Sequence, residues 1–541
     1  MLSIIPKPNH IKMLEGHMKL NLEAITYHVH KEFEEIGEVI SDILKFSTFS
    51  CDDMENSSIV FSFEESLANE AYTLCICEDY INIKVSSYSA AVYAIATLRQ
   101  IINSSEMSDN CVLIPRLEIV NDCPLHSWRG MLLDESRHFF GKDTVKKMLD
   151  LMVLYKLNIF HWHLTDDQGW RIEIDKYPLL TEVGSMRKGS QRGNWNSKEI
   201  DFTPHGGFYT KDDIREILRY AKLRGIEIVP EIDFPAHCLS AIAAYNYLAC
   251  REIPCEVPHY FNEVIAKDLG IKNWNRTLCL SKDSVKEFVF DVIDEVCELF
   301  PSKYFHVGGD EAPIVEWKEC PSCQQKIKDL GLKNERALQI NFINEVNVHL
   351  KEKNKILIGW NEVLASDNID RDIVAQYWTA KKDPKVTQHL KAGGKVIMSC
   401  HKYFYYDMMY TYCTLKNAYN FEFTRNGVPA NLIQNVVGVE GANWTEWTYN
   451  EDKLFFSTFP RALALAEIAW TSTYKRDYKD FVARLELQKK LLDQMNIYYG
   501  LDFITTKKSI LKKKKLAKKY GLNTKDYDYE FKLNKAIESD V

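Results

Sequence analysis

The sequence predicts an α/β chain centred on a (β/α)8 TIM barrel, preceded by a small α+β domain and followed by a short helical C-terminal extension. Three observations carry that expectation. From about Leu125, short apolar runs alternate with stretches of helical period; eight such units fit into about 350 residues; and polar residues gather at the ends of the apolar runs, where a barrel places its chemistry. A doubly wound sheet is the competing architecture.

The 541 residues carry 68 Lys and Arg against 76 Asp and Glu, a formal charge of −8, with 46% of residues hydrophobic and 27% charged. Such a composition suits a soluble globular chain. It excludes a dedicated nucleic-acid binder, which needs a basic face to neutralise phosphates. No run of 18 apolar residues is present to cross a membrane. The opening MLSIIPKPNHIKMLEG interrupts its apolar patch with prolines and lacks a secretory core and cleavage site, so a cytoplasmic location is expected. Fourteen cysteines are scattered singly and read as reduced, mostly buried thiols. A homodimer is allowed by the sequence but not required by it.

Taken in order, residues 1–124 form the first domain, with an amphipathic stretch around Glu34 to Leu44, strand-like runs at Tyr72 to Cys77 and Tyr80 to Val85, and a helix over SAAVYAIATLRQII. The barrel takes residues 125–490. Its strands are expected at Gly130 to Asp134, Asn158 to Leu164, Ile226 to Asp233, Tyr304 to Gly309, Ile356 to Asn361, Ile373 to Trp378, Val396 to Ser399 and Val436 to Ala442. Helical spacing recurs at Val145, Met148, Leu149 and Met152, and again from Val285 to Val296. Thr210 with Asp213 reads as a capping box, and Gly225 as a helix-terminating glycine. Residues 491–541 form the extension, in which Lys507 to Lys519 holds eight lysines and no acid and reads as a solvated helix face.

The strand ends are rich in carboxylates and indoles: Arg137 follows the first strand, Asp166 and Asp167 the second, His237 the third, and Asp310 and Glu311 the fourth, after two glycines. Trp360, Trp378, Trp444 and Glu446 close later strands. Carboxylates accept hydrogen bonds from sugar hydroxyls and indole faces cover the apolar C–H side of the ring. Adjacent carboxylates cannot both ionise easily, so one of Asp310 and Glu311 is expected to titrate high, as a general acid requires. A bland alternative makes them acids capping the next helix.

His161 and His163 share one strand face, a placement that also suits metal ligation with Asp233 and His237, so a metal-dependent hydrolase is the rival. Satisfied core histidines are at least as common in such an apolar run, and His306 reads as structural. Cys320 and Cys323 form one CxxC with no second pair close by, which argues against a zinc knuckle.

Four long motifs, WRGMLLDESRHFF, NIFHWHLTDDQGWRIEIDKYP, GGFYTKDDIREILRYAKLRGIEIVPEIDFPAH and FHVGGDEAP, resemble the family 20 glycoside hydrolases over roughly residues 1 to 490. The resemblance implies a retaining exo-β-N-acetylhexosaminidase in which the substrate's 2-acetamido oxygen is the nucleophile. It implies Glu311 as general acid and base, Asp310 as the residue that orients the acetamido group and stabilises the oxazolinium, and Tyr405, in the run YFYYDMMY, as the donor to the acetamido oxygen. Arg137, Asp407 and Glu446 fall on positions that hold sugar hydroxyls, Trp360, Trp378 and Trp444 on the walls, and Asp166 and His237 on a supporting relay. Amino-sugar glycosides are the implied substrates, with no metal and no cofactor. Ala236 stands where the family usually places glycine, which would strain the loop if that position needs positive φ. The loops 185–208 and 250–280 have no assigned conformation and are expected to edge the pocket.

Overall fold

The computed structural model describes residues 2–262, 276–379, 382–505 and 510–539. Eight parallel strands close into a barrel: Trp128–Asp134 (β1), Ile159–His163 (β2), Glu227–Glu231 (β3), Tyr304–His306 (β4), Ile356–Trp360 (β5), Val374–Tyr377 (β6), Lys395–Met398 (β7) and Val436–Asn443 (β8), with β8 returning to β1. Each of the eight expected strands is present. The register aligns Asp134, His163, Glu231 and His306, so β1 to β4 end on one level. Residues that follow that level therefore open onto a common mouth.

Alternation along β2 explains its mixed composition. Trp162 points outward and packs against Tyr209 and Phe300, while His161 and His163 point into the barrel. Helices cover the outside. The helix Lys211–Lys222 begins at the expected capping box, Thr210 with Asp213, worth about 1 kcal/mol of helix stability. Gly225, at φ +64°, follows its end.

Residues before β1 form an eight-stranded mixed sheet with the helix Tyr88–Asn103 lying across it. The expected strands lie at Tyr72–Ile76 and Ile81–Val85, and the amphipathic stretch near residue 40 is a 3-10 turn followed by the short helix Ile40–Leu44. The long pair Ile11–Asn21 and Cys111–Asp122 was not anticipated. Ile11–Asn21 is mostly exposed, and Pro115 and Arg116 interrupt the apolar residues of Cys111–Asp122, so neither reads as a buried strand. Buried charges fasten this sheet to the barrel: Arg129 on β1 meets Glu70 at 2.7 Å and donates to the Tyr93 hydroxyl, and Asp122 accepts from Tyr72 and Trp470.

The C-terminal helices Ile510–Lys519 and Tyr529–Ser539 pack on Tyr410 and Phe456 through Ala517, Phe531 and Leu533, with Ile504 in the same cluster. The lysine run is not wholly a solvated face, because Lys513 is buried and pairs with Glu530 at 2.9 Å. Lys507 and Lys508, and residues 263–275 of the loop 250–280, lie outside the described residues. No helix among the described residues is long and apolar enough to cross a membrane.

Candidate active site

β4 ends at His306, and the chain then turns sharply through Gly308 and Gly309 to Asp310 and Glu311. The two glycines have φ +64° and +86°; a Cβ on Gly308 would meet Asp233 Oδ1 at 1.5 Å, and one on Gly309 would meet Val363 at 2.8 Å. Only glycine fits this turn. Glu311 itself takes φ +45°, a left-handed conformation costing about 1–3 kcal/mol that the surrounding turn must impose. The turn sends the two acids apart: Asp310 is 18% exposed and Glu311 57%.

A cavity of about 200 Å³ lies at this mouth. Asp310 and Glu311 line it together with Arg137, His237, Trp378, Tyr405, Asp407, Trp444 and Glu446. Trp360 and Asp166 form the layer behind. The Trp360 indole donates to Glu231 at 2.8 Å and packs 5.8 Å from Trp444; Asp166 is buried against Arg137 and His237. Trp378 stacks on Tyr405 at 6.2 Å and 17°, held by its indole N–H on Glu362. Among the neighbouring tyrosines, Tyr406 is buried beside Arg461 and Tyr403 packs on Phe421, so Tyr405 is the one at the cavity.

Charges here are arranged in a chain. Arg137 is buried, lies 2.7 Å from Asp166, 3.3 Å from Asp134 and 4.0 Å from Glu446, and spreads its guanidinium over Trp444. Asp166 in turn meets His237 Nδ1 at 3.2 Å, and His237 Nε2 lies 3.7 Å from Asp310 and 3.8 Å from Glu311. Burial alone would lower His237, but the charge and hydrogen bond of Asp166, with the charges of Asp310 and Asp167, together outweigh it and hold the imidazole protonated well above its ordinary range. Asp310 is raised well above the usual carboxylate value, first by burial, with the His237 charge pulling it back and Asp233, Glu362 and Glu311 adding to the rise. The expectation that adjacency of the two acids drives the shift is corrected: burial does, and it acts on Asp310. Burial also lifts Asp407 to about 8, helped by Glu446.

Two buried oxygens at this site, Asp310 Oδ1 and Asp407 Oδ1, have no hydrogen-bond partner. Each is left without a hydrogen bond by the described residues, so a ligand polar hydrogen is favoured there.

His161 and His163 are engaged at both ring nitrogens, His161 with Glu231 and Glu440, His163 with Asp134 and Asp233. Burial would lower them, yet these carboxylates win and push His161 up to about 9. A protonated imidazole has no lone pair for a metal, so the pair reads as core ion pairing. His306 likewise meets Glu231 at 2.8 Å within the barrel.

Ala236 does not take positive φ; the left-handed residue is His237, at φ +54°, so the alanine carries no strain of that kind. Cys320 and Cys323 do have a second pair close by: Cys250 and Cys279 reach them from 41 or more positions upstream, a proximity that spacing does not disclose. All fourteen cysteines are unbonded thiols and none is exposed.

Two cavity residues were not anticipated, Trp195 and Met408. Trp195 lies in the loop 185–208, which is organised by the short pairs Met186–Arg187 with His205–Gly206 and Ser190–Gln191 with Ile200–Asp201. A tryptophan in the polar run RGNWNSKE was the available signal. Its ring meets Trp447 edge-on at 5.5 Å, and Trp447 stacks on Tyr527 of the extension.

A barrel whose strand ends gather carboxylates, a buried arginine and indole faces around a space for about one ring is of the carbohydrate-processing class. Residues 126–473 match the catalytic domain of glycosyl hydrolase family 20 and residues 1–120 match its domain 2, and the chain belongs to that family of glycoside hydrolases. It is 33% identical to a beta-hexosaminidase of Porphyromonas gingivalis over 92% of this chain and 64% of that one, so it spans just under two thirds of that relative. It is 31% identical to a beta-hexosaminidase of Vibrio furnissii over 86% of this chain and 76% of the other. Among solved structures, the family 20 exo-β-N-acetylglucosaminidase of Vibrio harveyi in complex with N-acetylglucosamine superposes with a TM-score of 0.79 at 29% identity, covering 92% of this chain and 78% of that one. The β-N-acetylhexosaminidase of Bacteroides fragilis gives 0.79 at 28% identity, covering 92% and 97%.

Proposed function

We propose that the chain is a retaining exo-β-N-acetylhexosaminidase that removes a terminal β-linked N-acetylglucosamine or N-acetylgalactosamine by substrate-assisted catalysis. The observation that supports this most is the buried, partnerless Oδ1 of Asp310 beside an exposed Glu311 and a stacked Trp378–Tyr405 wall. One acid suits a group that stays in the pocket, the other a group exchanged with solvent. At about 200 Å³ the cavity is below the roughly 300–1,000 Å³ of sites that engulf larger ligands, which suits one terminal ring.

In this reading the acetamido carbonyl oxygen attacks the anomeric carbon as the glycosidic C–O bond breaks, and Glu311 gives its proton to the departing oxygen. The nitrogen gains positive character, and its N–H points at Asp310, whose preorganised negative charge stabilises the oxazolinium more than the ground state. Tyr405 donates its hydroxyl hydrogen to the acetamido oxygen. Glu311, now a carboxylate, takes a proton from water as that water attacks the same carbon and the five-membered ring reopens. Two displacements at one carbon leave its configuration unchanged. Arg137, Asp407 and Glu446 hold the outer hydroxyls, and no step needs a metal or organic cofactor.

A panel of aryl β-glycosides tests the reading. N-acetylglucosaminide and N-acetylgalactosaminide should be cleaved, the plain glucoside, lacking the acetamido group, should resist, and the first-formed sugar should be the β-anomer by NMR. Rapid glucoside cleavage or an α-product overturns it.

A further inference from the structure

The four thiols brought together beside the barrel mouth are not used by the reaction, and their geometry is specific. Cys250 and Cys279 sit on two segments joined by the antiparallel bridge between Ala249 and Leu278, with the Cys279 amide donating to the Leu248 carbonyl at 2.8 Å. Cys320 precedes the helix Pro321–Asp329 and Cys323 lies in its first turn. The Cys323 sulfur is 3.9 Å from that of Cys250 and 3.8 Å from that of Cys279, and all four sulfurs lie within 4.8 Å of one another. A tetrahedral zinc ion with Zn–S bonds of about 2.3 Å sets its sulfurs about 3.8 Å apart. Disulfides require about 2.05 Å, and a four-way gathering is not needed to form two of them.

The surroundings suit a thiolate centre. The Ser281 hydroxyl lies 3.2 Å from the Cys279 sulfur and the Ser322 hydroxyl 3.1 Å from the Cys320 sulfur, so each can hydrogen-bond to a bound thiolate. Lys282 and Lys326 donate to the carbonyls of Ala249 and Leu280, next in sequence to Cys250 and Cys279, and so fix the backbone on which two of the sulfurs sit; Lys282 also pairs with Glu252 at 2.9 Å.

We propose that Cys250, Cys279, Cys320 and Cys323 form a structural zinc site. No position is left for water or substrate, so its role is to hold the loop after β3 against the segment after the Asp310–Glu311 turn. That junction already carries the Trp317 indole donating to the Leu278 carbonyl at 2.8 Å. The site does not depend on the reading of the reaction.

The full chain, purified without chelator or affinity nickel, should contain about one zinc per molecule by elemental analysis, released to a chromogenic chelator as thiols are titrated with a mercurial. Cobalt exchanged for it should show thiolate-to-cobalt charge-transfer absorption and tetrahedral d–d bands. Cys279→Ser/Cys323→Ser should lose the metal, while Cys255→Ser, a half-buried cysteine outside the cluster, should keep it. If the double variant fails to fold, metal content and mercurial-linked release of the parent protein still decide. Less than a stoichiometric amount of zinc after growth with zinc, disulfides among these four residues by mass spectrometry, or iron in its place would each overturn the proposal.

Discussion

The Oδ1 of Asp166 lies 3.2 Å from Nδ1 of His237, and this ion pair sets the charge that faces the catalytic turn. With Asp166 ionised, His237 stays protonated and presents its positive edge to Asp310, whose carboxyl it pulls down against the rise caused by burial. Asp166→Asn should let His237 lose its proton, which raises Asp310 further. Since the reaction needs ionised Asp310, the acid limb of kcat/KM should move to higher pH. A pH profile on an aryl N-acetylglucosaminide measures this; a lower kcat with an unmoved limb would reduce Asp166 to a packing role.

Glu311→Gln removes the proton donor while keeping the shape of the turn. An aryloxide with a low pKa departs with little help, so its release should slow modestly. A disaccharide, whose leaving oxygen needs the proton, should lose roughly 10²–10⁴-fold in kcat/KM. Equal losses for both substrates would remove Glu311 from the acid role.

Fold and site are unevenly legible in the sequence, for physical reasons. The barrel was legible because buried parallel strands leave apolar runs and amphipathic helices leave a 3.6-residue period between them. The HVGGDEAP turn was legible because only glycine tolerates Asp233 and Val363 at such distances from the backbone. The long edge pair Ile11–Asn21 with Cys111–Asp122 was not, because one of its faces is solvated and its polar residues resemble a loop. Nor was the four-cysteine cluster, in which Cys250, Cys279 and the Cys320–Cys323 pair are separated by tens of residues and meet only when the loops after β3 and β4 fold against each other. Trp195 sits in a segment whose short pairings carry no periodic signal, so a single tryptophan was its only mark. Which of the two acids is buried also lay beyond sequence: Asp310 is 18% exposed and Glu311 57%, and burial raises Asp310.

Asp310→Asn keeps a hydrogen-bond acceptor for the acetamido group but removes the charge that meets the oxazolinium. A thiazoline mimic, which carries the cation when protonated, should bind the variant more weakly by about 10²-fold, while N-acetylglucosamine itself should lose much less. Inhibition constants for the two ligands make the comparison. Equal loss for both would mean that Asp310 contributes uniform binding and no preference for the charged intermediate.

Lys513 and Glu530 test whether the extension supports the cavity. Both are buried, Lys513 Nζ lies 2.9 Å from Glu530 and donates to the Ile504 carbonyl at 2.6 Å, and Glu530 also accepts from the Tyr410 amide. Lys513→Met leaves a buried carboxylate uncompensated, at about 3–5 kcal/mol, whereas Lys513→Met/Glu530→Gln removes both charges and should recover most of that loss. Loss of about 3 kcal/mol raises the population of the opened extension by roughly a hundredfold, read as faster protease cleavage within residues 510–529. Tyr527, between the two helices, stacks 5.6 Å from Trp447, the neighbour of cavity residue Glu446, and its amide donates to Gly193, two residues before Trp195. Release of the extension should therefore raise KM for oligosaccharides by several fold with little change in kcat on a small aryl glycoside. Protease resistance equal to the parent in the single variant would show that this pair does not hold the extension in place.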